Sequence, residues 1–242
     1  MMKFFWITCL FIFSLTVQAN EDLPPIKITE IERNVYLHKS YNDVKGFGLV
    51  SSNGLVVIED NKAFIVDTPW SERDTENLVN WIKSKNYQLL GSVSTHSHDD
   101  RTAGIAWLKR HKVPTYATSL TNEILKRAGK TTAQHSLEGV ESTLADGMLT
   151  TYYPGEGHAV DNIVVWLPKS KILFGGCLIK SMASNNLGYI GEANIEQWSI
   201  SVEKLQKKFS DTVLVIPGHG KVGDIGLLKH TKALVKMKNN KQ

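Results

Sequence analysis

The chain has 242 residues, of which 42% are hydrophobic and 21% charged, and its formal net charge is +4. This composition is typical of one soluble globular domain with a sizeable core, and it excludes a disordered chain. The positive excess is small and no long run of lysine and arginine occurs, so we expect no nucleic-acid partner.

The first 19 residues form a segment of their own. Lys3 precedes an apolar run from Phe4 to Val17, which ends in small residues at Ala19. This order is typical of a secretory signal peptide, so we predict that residues 1–19 are cleaved and that residues 20–242 form one periplasmic domain. A membrane anchor is disfavoured because the run is too short to span a bilayer comfortably and has no stop-transfer flank. We therefore expect no stable membrane association.

Cleavage would leave Cys177 as the only cysteine and would remove Lys3, lowering the net charge from +4 to +3. A single thiol cannot form an internal disulfide. An unpaired thiol in an oxidising compartment needs another role, and metal ligation supplies one.

The first half of the mature chain reads as β-structure with helices after it. Apolar alternation and short apolar runs predict strands over residues 26–31, 35–38, 48–50, 55–59, 63–67 and 89–94. Asn53-Gly54 and Asp60-Asn61 fall between apolar runs and predict hairpin turns. Helices are predicted from Ser71 or Asp74, over residues 102–109 and near residues 121–127.

The second half repeats this order. It predicts strands over residues 148–153, 163–167, 172–174 and 213–216, an amphipathic helix over 195–209 and a final helix over 225–237. Strands followed by helices, twice over, predict two β-sheets packed face to face with helices outside, an α+β fold. No linker divides the chain into separate domains.

The most specific motif follows the strand predicted to end at Ser94. His96, His98 and Asp100 are spaced two residues apart, so an extended backbone would place all three side chains on one face. A helix would turn His98 away from the other two. Three donors on one face at a strand exit predict a metal site.

Three more potential ligands follow or end later strands, and each is next to glycine. They are His158 in Gly157-His158, Cys177 in Gly176-Cys177 and His219 in Gly218-His219-Gly220. Six donors are too many for one four-coordinate zinc ion and fit two. The remaining histidines are predicted to be packed or surface residues: His38, His111, His135 and His230.

The six donors divide by type. His96, His98 and His158 would make a neutral site that leaves a fourth position for water and lowers the pKa of that water. The other set is anionic and suits zinc better than calcium or magnesium; it comprises Asp100, Cys177 and His219. Together they provide a nucleophile and Lewis acids suited to amide hydrolysis.

With these residues the chain resembles the class B metallo-β-lactamases, specifically the subclass with a His-His-His and an Asp-Cys-His zinc site. The resemblance covers essentially all of the mature chain. It rests on His96-Ser97-His98-Asp99-Asp100-Arg101, Gly157-His158-Ala159-Val160-Asp161-Asn162, Gly175-Gly176-Cys177-Leu178-Ile179-Lys180, Pro217-Gly218-His219-Gly220, Gly46-Phe47-Gly48 and Val66-Asp67-Thr68-Pro69.

The resemblance implies a four-layer αββα sandwich of two mixed β-sheets with helices on both outer faces. It implies two zinc ions per chain, six ligands as divided above, and a β-lactam as the small-molecule substrate. It also implies periplasmic hydrolysis of penicillins, cephalosporins and carbapenems by a zinc-bound hydroxide, and hence antibiotic resistance. We expect a monomer.

The resemblance also assigns roles to residues around the ligands. Asp100 and Lys180 would act in catalysis, and Lys180 would pair with the substrate carboxylate. Asp67 would orient a ligand imidazole, and Arg101 would lie beneath the Asp-Cys-His zinc. Phe47, between two glycines, would lie on a mobile flap; a core phenylalanine is the alternative.

One position departs from the family. Many members have an asparagine about twelve residues after the cysteine that helps to hold the substrate, and here that position is Tyr189. Asn185 and Asn186 lie nearby but out of register. Substrate preference is correspondingly open.

Other hydrolases of the superfamily, such as a glyoxalase-like thioesterase or a lactonase, are the nearest alternatives. They usually carry a histidine directly after the motif aspartate and a bridging carboxylate late in the chain, where this chain has Arg101 and Cys177. A metal-dependent nuclease is disfavoured for the same reason. A non-catalytic zinc-binding protein would need neither Lys180 nor Phe47 on a flap.

Overall fold

The computed structural model describes residues 23–240. The predicted signal peptide lies outside these residues. No helix within the described part of the chain is long and apolar enough to cross a membrane.

A seven-stranded mixed sheet forms the first half of the molecule. Its strands lie in chain order: β1 (Lys27–Glu32), β2 (Val35–Val44), β3 (Gly48–Glu59), β4 (Lys62–Val66), β5 (Gln88–Val93), β6 (Thr115–Thr118) and β7 (His135–Leu137). The first four strands are antiparallel neighbours, and β4 to β7 pair in parallel. The carboxyl ends of β4, β5 and β6 therefore meet at one edge.

A five-stranded mixed sheet forms the second half. Its order is β12-β11-β10-β9-β8, with β8 (Glu141–Leu144), β9 (Leu149–Tyr152), β10 (Val164–Leu167), β11 (Ile172–Gly176) and β12 (Leu214–Pro217). Only β11 and β12 pair in parallel. The carboxyl ends of β11 and β12 therefore lie at the same edge of this sheet.

Within residues 23–240, six α-helices complete the fold: α1 (Glu72–Ser84), α2 (Asp99–Thr102), α3 (Ile105–Arg110), α4 (Ser119–Arg127), α5 (Ile195–Lys208) and α6 (Gly226–Asn239). Ser71 caps α1, because its side chain accepts a hydrogen bond from the Asp74 amide. The sequence predicted that this helix starts at Ser71 or at Asp74, and the hydrogen bond shows that Ser71 is the N-cap residue.

Three hydrophobic clusters explain the layered arrangement. The central cluster joins the facing sides of both sheets and includes Leu55, Phe64, Val165 and Phe174. A second cluster packs α5 and α6 on the five-stranded sheet, and a third packs α1 and α3 on the seven-stranded sheet. The predicted αββα sandwich with two mixed sheets is confirmed.

Several local predictions differ from the structure. Asn53-Gly54 lies inside β3 rather than in a turn, and the hairpin turn is at residues 45–47. Gly54 is needed there because a Cβ atom would lie 2.3 Å from the His38 ring. The helix predicted over residues 102–109 is divided into α2 and α3. Strands β6, β7 and β8 were not predicted, because these short segments are mostly polar and contain no apolar run.

His38, predicted to be a packed or surface residue, is buried, and its ring lies against Gly54 of β3. Its Nε2 lies 3.0 Å from the Asp67 carbonyl oxygen, and its Nδ1 has no hydrogen-bond partner among the described residues. Burial lowers the pKa of His38 to about 4. The unfolded chain therefore binds a proton that the folded chain excludes, between the ordinary pKa of 6.5 and the folded value.

We expect the folded protein to lose stability as the pH falls from 6.5 to 4, by up to about 3 kcal/mol from this group. His38→Gln should remove that loss. Urea unfolding at several pH values measures it, with the exposed His111→Gln as control. Burial raises the pKa of Asp67 to about 6, so this group stabilises the folded protein as the pH falls. Because both proteins contain Asp67, its contribution cancels in the comparison. Equal pH profiles for His38→Gln and the parent chain would contradict the assignment.

Candidate metal centre

The six predicted donors lie together at the edge where the carboxyl ends of β5, β11 and β12 meet. His96 and His98 follow β5, Cys177 follows β11 and His219 follows β12. Asp100 lies in the first turn of α2, and His158 lies in the loop between β9 and β10. Loops and the first turn of one helix therefore bring all six donors to one edge of the sandwich.

Three imidazole nitrogens converge on one point. Nδ1 of His98 lies 3.1 Å from Nε2 of His96 and 3.2 Å from Nε2 of His158. Burial and the nearby charge of His98 lower the pKa of His96 well below the usual value. Burial and the nearby charge of Lys180 do the same to the pKa of His158. Both rings are therefore neutral at pH 7.

This convergence fits a metal ion better than it fits hydrogen bonding. When Nδ1 of a neutral imidazole carries no proton, it has one lone pair, which cannot accept a good hydrogen bond from both neighbouring rings at once. A cation between the three nitrogens would satisfy all of them.

Glu192 explains which nitrogen His98 presents. Its carboxylate oxygen Oε2 lies 2.9 Å from Nε2 of His98, so the imidazole proton is held there and Nδ1 is left free. Glu192 was not predicted from the sequence. It lies in an irregular segment whose sequence has no period that would indicate its position.

The second donor set lies beside the first. Sγ of Cys177 is 3.2 Å from Nε2 of His219 and 3.5 Å from Oδ2 of Asp100. Potential ligand atoms of His96, Asp100 and Cys177 all lie within 4.8 Å of one another, so the two sets are adjacent. His219 is held in place because its Nδ1 lies 2.7 Å from the Ser51 carbonyl oxygen.

The charges of this set favour a cation. Burial alone would lower the pKa of His219, but the charges of Cys177 and Asp100 and their hydrogen bonds raise it to about 9. Burial would raise the pKa of Asp100, but Arg101 and His219 hold it well below its usual value. A zinc ion held here would supply the positive charge that Asp100 and Cys177 favour.

Arg101 lies directly behind the anionic set, fully buried. Its Nη2 lies 2.7 Å from Oδ2 of Asp100, donates to Sγ of Cys177 at 2.9 Å, and donates to the Gly218 carbonyl oxygen at 3.0 Å. Its Nη1 donates to the Asn53 carbonyl oxygen and to Oδ2 of Asp67. The guanidinium fork thus holds both halves of the molecule together beneath the donors.

Asp67 is connected to the imidazole of His96 through Thr95. Its carboxylate accepts hydrogen bonds from the Thr95 amide at 2.7 Å and from the Thr95 hydroxyl at 2.9 Å. That hydroxyl oxygen lies 3.5 Å from Nδ1 of His96. Within residues 23–240 no side-chain hydrogen bond of Asp67 reaches an imidazole. The predicted orienting role would therefore pass through Thr95.

Five of the six donors, all except His96, line a cavity of about 620 Å³. Lys180 lines it and is 9% exposed, with its ammonium 5.2 Å from the centre of the Trp198 ring. Phe47 is 56% exposed at the tip of the β2–β3 hairpin, which excludes the alternative of a core phenylalanine. Tyr189 lines the wall, its ring centroid 5.7 Å from that of His98.

Trp70 also lines the cavity, with its ring centroid 6.2 Å from that of His219. The sequence analysis missed this residue, although it directly follows the quoted motif that ends at Pro69. An aromatic residue immediately after a strand-end motif was the available signal.

Comparisons with known proteins agree with this geometry. Residues 47–219 match the sequence model of the Metallo-beta-lactamase superfamily. The chain is 42% identical to a metallo-beta-lactamase type 2 of Pseudomonas aeruginosa, over 100% of this chain and 98% of the relative. It is 36% identical to one of Bacteroides fragilis, over 97% and 96%.

Solved structures give the same result. The crystal structure of DIM-1 metallo-beta-lactamase exposed to ceftazidime superposes with a TM-score of 0.89 at 58% identity, covering 90% of this chain and 100% of that one. The fold, the two donor sets and these relatives agree over nearly the whole length. The chain belongs to the metallo-β-lactamase superfamily and, within it, to the type 2 metallo-β-lactamases.

Proposed function

We propose that this protein hydrolyses the β-lactam amide bond of penicillins, cephalosporins and carbapenems in a zinc-dependent reaction, and so gives antibiotic resistance. The observation that carries the proposal is the pair of adjacent donor sets, five members of which line a cavity that is also lined by Lys180. The names of the relatives and of the structural neighbours support it.

Two zinc ions per chain fit the donors. The three neutral imidazoles would hold one ion and leave a position for water, and the second ion would be held by Asp100, Cys177 and His219. Zinc held at these positions lowers the pKa of a water molecule and polarises a carbonyl group.

The side chains of the protein perform the remaining tasks. Lys180 binds the carboxylate of the substrate, and this fixes the lactam ring above the donors. Arg101 keeps Asp100 ionised, so the carboxylate remains a ligand and a hydrogen-bond acceptor at neutral pH. Phe47 covers the substrate from the hairpin and limits access of bulk water, while Tyr189 also lines the cavity.

We also propose that the protein acts in the periplasm as a monomer. The segment of residues 1–19 supports export, because it has the basic, apolar and small-residue regions of a signal peptide. Cell fractionation that finds full-length chain in the cytoplasm would argue against export. Gel filtration of the purified domain tests the monomer.

The proposed activity is tested by an assay of purified residues 20–242 with a penicillin, a cephalosporin and a carbapenem in zinc-containing buffer. We expect loss of the lactam absorbance for all three classes. A His96→Ala variant purified in parallel measures any contaminating host enzyme. Rates equal to those of this variant with every substrate would overturn the proposal.

Lys180→Met should raise KM about 10–100-fold and change kcat much less, because it removes a charge-assisted bond to the substrate carboxylate. Methionine keeps most of the side-chain volume beside Trp198. Steady-state kinetics measure the split. The methyl ester of the same substrate should not distinguish the variant from the parent enzyme, and an unchanged KM for the free acid would assign the carboxylate to another residue.

A further inference from the structure

Two lysines besides Lys180 line the cavity, Lys45 and Lys130, and Lys130 is the one paired with a carboxylate that also lines it. The ammonium of Lys130 lies 2.7 Å from Oδ1 of Asp99, and both residues line the cavity. Their side chains are 44% and 61% exposed, so the pair is open to solvent and to a ligand. Asp99 uses one of the three ammonium N–H groups, which leaves two for another acceptor.

The backbone holds both partners at defined positions. Gly129, with φ of +68°, ends α4, and its amide donates to the Lys126 carbonyl oxygen. The Lys130 amide donates to the carbonyl oxygen of the buried Leu125. These two bonds form a Schellman motif, which fixes the direction in which the chain leaves the helix. Asp99 is the first residue of α2, directly after His98.

The chemistry of a penicillin places its acyl side chain on this part of the rim. The ring carboxylate is attached next to the lactam nitrogen, whereas the acylamino group is attached next to the lactam carbonyl. With the carboxylate at Lys180, close to Cys177, and the carbonyl over the three imidazoles, the acylamino group extends past His98. Asp99 directly follows His98, and Asp99 and its partner Lys130 line the cavity together with Tyr189 and Glu192, which contact His98.

We propose that Lys130 is a specificity-determining residue that binds a negatively charged group on the acyl side chain of the substrate, with Asp99 holding its ammonium in place. This inference rests on the proposed β-lactamase function. It concerns one substituent of the substrate and leaves the binding of the ring carboxylate to Lys180.

Three penicillins that differ only at the side-chain α-carbon provide the test: benzylpenicillin with hydrogen, carbenicillin with a carboxylate and ampicillin with an ammonium group. The quantity measured is kcat/KM for carbenicillin divided by that for benzylpenicillin, at low ionic strength. Lys130→Gln should lower this ratio about three- to tenfold, as expected for one partly screened charge. Lys130→Arg should preserve it.

Charge reversal gives a second measurement. Lys130→Glu should lower the carbenicillin ratio further and raise the corresponding ampicillin ratio. Both effects should shrink in 0.5 M salt, at an ionic strength where the Debye length is only about 4 Å. A structural role of Lys130 would change all three substrates together and would not depend on salt in this way.

Lys45→Gln is the matched control, because Lys45 is another lysine that lines the cavity, on the β2–β3 hairpin. It should leave the ratio unchanged. Ratios that are unchanged in all Lys130 variants, or changed equally by Lys45→Gln, would overturn the assignment. Absence of benzylpenicillin hydrolysis by the parent enzyme would instead reject the proposed function, so the two failures are distinguishable.

Discussion

Removal of zinc with a chelator is expected to abolish β-lactam hydrolysis, and added zinc should restore it as two ions bind per chain. The chain's own groups include no strong nucleophile in the cavity other than the Cys177 thiol, within the described residues, and Arg101 and His219 hold that thiol. Hydrolysis would therefore depend on a water molecule activated by zinc held in the two donor sets. Metal analysis and rate measurements on the same samples test both statements.

A Cys177→Ala variant sharpens this experiment. It removes one ligand of the second set and leaves the three imidazoles intact, so it should bind one zinc ion tightly instead of two. A Ser184→Ala variant, altered in the cavity wall, should still bind two. Fewer than one zinc per parent chain, or full activity in the chelated enzyme, would contradict the two-site assignment.

Arg101→Met should destabilise the zinc-free protein by about 3–5 kcal/mol, because it leaves buried negative charge without its partner. The guanidinium contacts Asp67, Asp100 and Cys177 and is itself fully buried. In the zinc-loaded protein the loss should be smaller, since the metal supplies positive charge to two of these three groups.

Urea unfolding with chelator and with zinc measures the two losses. Arg101→Lys serves as the control, because it keeps the charge but cannot reproduce the planar fork of donors. Its effect should lie between those of the parent and of the methionine variant. If Arg101→Met destabilised both forms equally, charge compensation would not be the role of this residue.

Local pattern was sufficient to predict the donors. The period of two in His96, His98 and Asp100 is a property of an extended chain and needs no tertiary contact. The glycines beside the later ligands also have a physical role, and Gly218 shows it: only a residue without a Cβ atom fits there. A Cβ atom on Gly218 would lie 2.6 Å from Nη2 of Arg101 and 2.7 Å from Sγ of Cys177.

Local pattern was misleading where a long-range contact decided the outcome. Asn53-Gly54 has the composition of a hairpin turn, yet both residues pair with β2 and continue β3. Glycine is needed at position 54 because the His38 ring occupies the space that a Cβ atom would fill. The pairing of β2 with β3 extends to Val44 and Gly48 instead, so the flap that carries Phe47 is longer than the sequence indicated.

By itself, the sequence determined which side chains could hold metal and the α+β order of strands and helices, since both follow from composition and short periods. Only the tertiary structure decided how those side chains are oriented. Arg101 and Gly218 are 117 positions apart, and His98 and Glu192 are 94 positions apart. Such contacts depend on how two sheets pack, and no local period encodes the packing of two sheets.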